Sequence, residues 1–143
     1  MSYSPLLAPV VVLVAWTLVM LVWTAVKRAP FMRNRSEIPP GVRGADMPPG
    51  SHNWPAHNYM HLVEQPTIFY AIVFVLVLMN FDAPVNIYLA WGYVVLRIIH
   101  SLVQATVNIV KYRFLIFALG TLCLAALTIH AGLKILHDCG IIG

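Results

Sequence analysis

Two charged residues, Glu64 and Arg97, stand inside stretches of the chain that are otherwise apolar. The remaining acids and bases lie in the connections between such stretches, at their ends or in the carboxyl tail. Holding an ionisable group in hydrocarbon costs several kcal/mol unless it is paired or hydrated, so such a group is a functional candidate by default. One acid and one base on neighbouring segments make each other the obvious partner. Each also has polar company at helical spacing. His57, His61 and Glu64 fall at i, i+4 and i+7, with Asn58 and Gln65 at the flanks. Arg97, His100, Gln104 and Asn108 fall at i, i+3, i+7 and i+11, with Ser101 beside them. Both sets share one helical face. Such faces can hold an anion, pass a proton or fasten helices together. Histidines four apart can also share a zinc ion; no catalytic metal motif accompanies His57 and His61, and no metal is assigned. His130 reads as a lone hydrogen-bonded histidine and His137 as part of an exposed tail.

The elements that must carry these residues follow from composition. The chain has 143 residues, 60% of them hydrophobic and 10% charged, with a mean hydropathy of +0.80. Soluble domains run at roughly 45–50% apolar and about 25% charged residues, so ordinary globular, disordered and collagen-like classes are excluded. Apolar stretches cover about 6–26, 56–79, 85–110 and 114–136. Each is long enough to cross about 30 Å of hydrocarbon at 1.5 Å per residue. Helices are required, because a lone strand leaves its backbone unsatisfied in lipid and no barrel-like alternation is present. The first stretch lacks the basic start and small-residue cleavage site of a signal peptide. The expected fold is an all-α integral membrane bundle of four transmembrane helices in a single domain, 1–143. The polar faces of the second and third helices must turn inward or towards another subunit. Cys123 and Cys139 form neither a disulfide framework nor a zinc spacing.

Basic residues set the expected orientation. Lys27, Arg28, Arg33, Arg35 and Arg43 lie in the first connection, and Lys111 and Arg113 in the third, whereas the second connection and the amino terminus carry none. The positive-inside rule then places both termini away from the cytoplasm. The net charge of +4 is a topology signal that also attracts anionic membrane lipids; nucleic acid is not an expected partner. The connection 27–55 contains Pro39-Pro40-Gly41 and Pro48-Pro49-Gly50, and reads either as a solvated tether or as a loop over a cytoplasm-facing site. Counting the helical rise from the basic ends puts Glu64 about 13 Å, His100 about 16 Å and Arg97 about 21 Å deep. The polar groups therefore line a pocket open to the cytoplasm.

The run Asn58-Tyr59-Met60-His61-Leu62-Val63-Glu64-Gln65-Pro66 on to Phe69, then Arg97-Ile98-Ile99-His100-Ser101 and a basic turn ending in Arg113, resembles the MAPEG superfamily. These are membrane-associated proteins of eicosanoid and glutathione metabolism, and the nearest likeness is to the prostaglandin E synthase branch. The four-helix layout and long first connection extend the likeness over nearly the whole chain. The resemblance implies a homotrimer, with glutathione bound between the second helix of one subunit and the third of its neighbour. Glu64 would match the glutamate that holds the glutathione backbone amine. Arg113 would match the catalytic arginine that stabilises the thiolate, with Lys111 as a close competitor. The glutathione-contacting set would be His57, His61, Glu64, Gln65, Arg97, His100, Gln104 and Asn108. The family helix usually carries an arginine and an asparagine seven and three residues before the glutamate; this chain has His57 and His61 there.

The resulting expectation is a glutathione-dependent transferase or peroxidase acting on lipophilic electrophiles that enter from the bilayer. Two other readings use the same residues. One is a non-catalytic lipid-binding or scaffold protein, with Glu64, Arg97 and His100 as an interhelical network. The other is a small proton-coupled exporter built on Glu64.

Overall fold

A computed structural model describes residues 3–33 and 50–141. Five α-helices are present among them: α1 (Leu7–Arg33), α2 (Trp54–Glu64), α3 (Pro66–Leu78), α4 (Pro84–Thr106) and α5 (Val110–Asp138). A 3₁₀ turn, Ser51–Asn53, leads into α2. Helices α2 and α3 run on from one another, so four segments are long and apolar enough to span a membrane: Leu7–Pro30, Trp54–Leu78, Pro84–Thr106 and Val110–Asp138. The expected all-α, four-span architecture is what the chain forms.

The helix ends differ from the apolar boundaries, each for a local reason. Helix α1 continues past Lys27-Arg28 and through Pro30 to Arg33. The Pro39-Pro40-Gly41 unit and Pro48-Pro49 of the first connection lie outside the described residues. The second apolar stretch breaks at Gln65, because Pro66 has no N–H to offer the carbonyl of Leu62. Thr67 there donates its hydroxyl to the Glu64 carbonyl at 2.6 Å, and the Gln65 amide reaches Thr121 Oγ1 on α5 at 3.0 Å. Helix α3 ends in a Schellman motif: Asn80 takes φ +50, and the Phe81 and Asn80 amides donate to Leu76 and Val77 at 2.9 and 3.0 Å. The third stretch, expected to reach residue 110, stops at Thr106. Asn108 adopts φ +51 and donates its amide to the Val103 carbonyl at 2.7 Å. It is thus a turn residue and does not share the face of Arg97, His100 and Gln104. Lys111 and Arg113 consequently belong to the first turns of α5, not to a connection.

The core runs along the bundle axis. Leu6, Val10, Leu13 and Met20 of the first segment, Phe69, Val73 and Leu76 of α3, Ala90, Tyr93 and Val94 of α4, and Leu124, Leu127 and Ala131 of α5 are buried together. Phe69 and Tyr93 stack at 4.5 Å and 15°. Helices α4 and α5 form the most extensive pair. Their seam is closely packed at Gly92 and Gly120: a Cβ at Gly92 would lie in van der Waals contact with Cys123 Sγ at 3.6 Å, and one at Gly120 with Tyr93 at 3.9 Å. Far from the basic end, Asn86 is fully buried. It donates to the Phe81 carbonyl at 3.1 Å and pairs its Oδ1 with His130 Nδ1 at 2.8 Å. His130 is therefore the hydrogen-bonded histidine expected of it.

Candidate functional site

The carboxyl ends of α1 and α4 and the amino ends of α2 and α5 meet at one end of the bundle, where the basic residues gather. A cleft of about 220 Å³ opens there between α2, α4 and α5, lined by His61, His100, Val110, Arg113, Phe114 and Phe117. The His61 and His100 rings stand nearly perpendicular, 82°, with centroids 6.5 Å apart. Phe117 tilts against His100 at 6.2 Å. Arg113 supplies the cation of the cleft: its Nη1 donates to Asn108 Oδ1 at 2.7 Å, while its Nε is buried with no hydrogen-bond partner among the described residues. At the rim, His61 Nδ1 lies 3.5 Å from Glu64 Oε2, with the two side chains 45% and 66% exposed. A carboxylate that open, ten residues into a spanning segment, has no lipid-compatible surroundings within one copy of the chain.

A second polar string approaches along the start of α2. Arg28 of α1 donates Nε to Asn53 Oδ1 at 3.1 Å, and its Nη2 also bonds that oxygen. The Asn53 amide nitrogen lies 3.4 Å from His57 Nε2. An amide nitrogen only donates, so the contact casts His57 Nε2 as acceptor.

The sequence profile of the MAPEG family matches residues 6–133. The chain belongs to the MAPEG family. No curated protein and no solved structure matches it.

In this MAPEG chain the cleft gathers some of the expected site residues and leaves others outside. His61, His100 and Arg113 line it and Glu64 stands at its rim. Arg97 does not pair with Glu64. It is 2% exposed and donates Nε to the Tyr93 hydroxyl at 3.1 Å. Its guanidinium carbon lies 5.3 and 5.0 Å from the Tyr93 and Phe117 ring centres. The physical reason is direction: Arg97 points into the α4–α5 seam, whereas Glu64 points out of the chain. Gln104, Asn58 and Ser101 are buried and are absent from the lining of the cleft. Gln65 ties the α2–α3 break to α5, and Asn108 braces Arg113 from the turn.

Phe114, Phe117 and Tyr93 were not among the residues singled out from the sequence. Phe117 follows Arg113 by one helical turn and Tyr93 precedes Arg97 by one, so the same spacing rule that grouped the polar faces reaches both. Arg28 counts as a topology charge in the sequence, and its tie to Asn53 has no signal in spacing because the two sit on different elements.

Proposed function

We propose that this chain is a glutathione-dependent transferase or peroxidase for lipophilic electrophiles, with its site completed between copies of a homotrimer. One observation carries the reading: a cleft holding Arg113, His61 and His100 lies beside an outward-facing Glu64 at membrane depth. Ligand pockets commonly enclose about 300–1,000 Å³, and the cleft of one chain offers about 220 Å³. A neighbouring copy laid over α2 both covers Glu64 and supplies the missing wall. Glu64 then holds the ammonium of the tripeptide, and Arg113 faces its thiol.

The chemistry follows from charge. A guanidinium a few ångströms from a thiol favours the thiolate, the form that acts as nucleophile. In transfer, the thiol proton passes to solvent at the cleft mouth and the sulfur lone pair forms an S–C bond to the electrophile; the displaced pair departs with the leaving group or, at an activated alkene, the π pair shifts to the adjacent atom, which takes a proton from solvent. In peroxide reduction, two thiols yield a disulfide while the hydroperoxide becomes alcohol and water. Phe114 and Phe117 give the cleft an apolar wall for the hydrophobic co-substrate. By the positive-inside rule this end of the bundle faces the cytoplasm, where glutathione is available.

The test is purified protein in mild detergent, with glutathione binding followed by calorimetry and turnover by a chromogenic electrophile. Saturable binding and turnover above background are expected. Arg113→Ala is expected to lower turnover by at least about tenfold, one thiol pK unit, while leaving glutathione bound. No heat of binding and background turnover would remove the reading.

A second reading has its own observation. A groove of about 210 Å³, lined by Val14, Thr17, Leu18, Leu62, Val63, Thr67 and Tyr70, runs between α1 and the α2–α3 break. Its almost wholly apolar walls suit a single acyl chain, as in a lipid-binding protein without catalysis. That reading expects lipid to co-purify and Arg113→Ala to change nothing.

A further inference from the structure

The basic end holds a cation whose direction is set by a turn. Arg113 rises from the second turn of α5, with a flexible side chain that could lie along the membrane surface or bend into the cleft. Its Nη1 is instead held at 2.7 Å by Asn108 Oδ1, and the guanidinium lines the cleft beside His61 and His100. Asn108 can make this contact because of its backbone. At φ +51 it ends α4 and reverses the chain, and its amide is anchored to the Val103 carbonyl at 2.7 Å. The Ile109 carbonyl in turn receives the Arg113 amide at 3.1 Å. The six residues from Asn108 to Arg113 therefore form a closed brace, fixed at the backbone on both sides and at the side chain across the top. Asparagine suits both demands: it tolerates the left-handed region, and its neutral carbonyl oxygen accepts from a guanidinium without cancelling the charge. An aspartate would accept as well but would neutralise the cation, and a glycine would keep the turn but release it.

We propose that Asn108 is a positioning residue that holds the Arg113 guanidinium in the cleft while leaving its charge uncompensated, so that the cation acts on the ligand rather than on a protein carboxylate. This inference rests on the proposed thiol chemistry.

The experiment titrates the thiolate of bound glutathione by its ultraviolet absorbance across pH, in wild-type protein and three variants. Asn108→Gly keeps the positive φ and removes the brace; Asn108→Asp keeps the brace and neutralises the cation. Asn80→Gly relaxes the other asparagine at positive φ, in the turn at the opposite end of the bundle. Thermal midpoints are recorded alongside. The expected result is a midpoint for thiolate formation raised by roughly one pH unit in both Asn108 variants and unmoved in Asn80→Gly. A merely structural role would lower thermal stability in both Asn108 variants without moving the titration of the folded protein. An unmoved midpoint in Asn108→Gly, with wild type forming thiolate, overturns the brace alone. No thiolate in wild type overturns the thiol reading and this inference with it.

Discussion

At the scale of single residues, Arg97 decides most. Its charge is enclosed in the bundle with a phenol and two aromatic faces for company and, among the described residues, no carboxylate. Ring faces attract a desolvated cation by about 2 kcal/mol, but the Tyr93 hydroxyl is its hydrogen-bond acceptor in the chain. Tyr93→Phe keeps the stack on Phe69 and the ring beneath the guanidinium while deleting that acceptor. It is expected to cost about 1–2 kcal/mol, read as a fall in the unfolding midpoint of the detergent-solubilised protein. An unchanged midpoint would mean that Arg97 has another acceptor. The sequence made Arg97 visible as an anomaly and located its depth, because rise along a helix converts position into height. It also suggested Glu64 as partner, and that part was not legible. Height says nothing about azimuth, and azimuth is set by which helix packs on which. Helix α5 packs along α4 and brings Phe117 onto Arg97, closing that side.

At the scale of elements, the number of spans was legible and their ends were less so. Apolar length counts residues that lipid accepts, whereas helix termini are fixed by backbone chemistry. Pro66 splits the second span and Asn108 ends the third. Both signals were present in the sequence, as a proline without a donor and an asparagine suited to left-handed backbone, but an apolar count passes over them. The α3–α4 turn shows how such a junction is secured. Asn86, buried at the start of α4, satisfies the Phe81 carbonyl and fixes His130 of α5 in one stroke. Asn86→Leu is expected to leave both groups without that partner and to destabilise by about 1–2 kcal/mol. Adding His130→Leu is expected to restore part of the loss, because the imidazole no longer lacks a partner. The coupling, measured as a double-mutant cycle of thermal midpoints, is expected to exceed about 0.5 kcal/mol. Strict additivity would show that the two side chains act separately.

At the scale of the whole molecule, composition alone yielded a membrane bundle, and the polar faces yielded half of a site. The other half is not written in one chain's packing. His61, His100 and Arg113 come together within a copy, but Glu64 turns away from all of them except His61 and is two-thirds exposed. Spacing predicted a shared face for His57, His61 and Glu64 without saying whether that face meets the bundle interior or a neighbour. The proposed trimer gives that face a neighbour. A carboxylate facing acyl chains costs several kcal/mol per copy, an interface that hydrates or pairs it recovers that cost, and the family likeness implies three copies. Native mass spectrometry in mild detergent is therefore expected to give three times the 16.0 kDa chain mass. Glu64→Leu separates the roles of the carboxylate: it removes the cost of exposure, so the trimer is expected to persist, while glutathione loses the anchor for its amine and binds at least about tenfold more weakly, the loss of one charge-assisted hydrogen bond. If instead the wild-type chain ran as a monomer with the same glutathione affinity, Glu64 would be solvated in place by water reaching along the cleft, and the site would have to be complete within one copy.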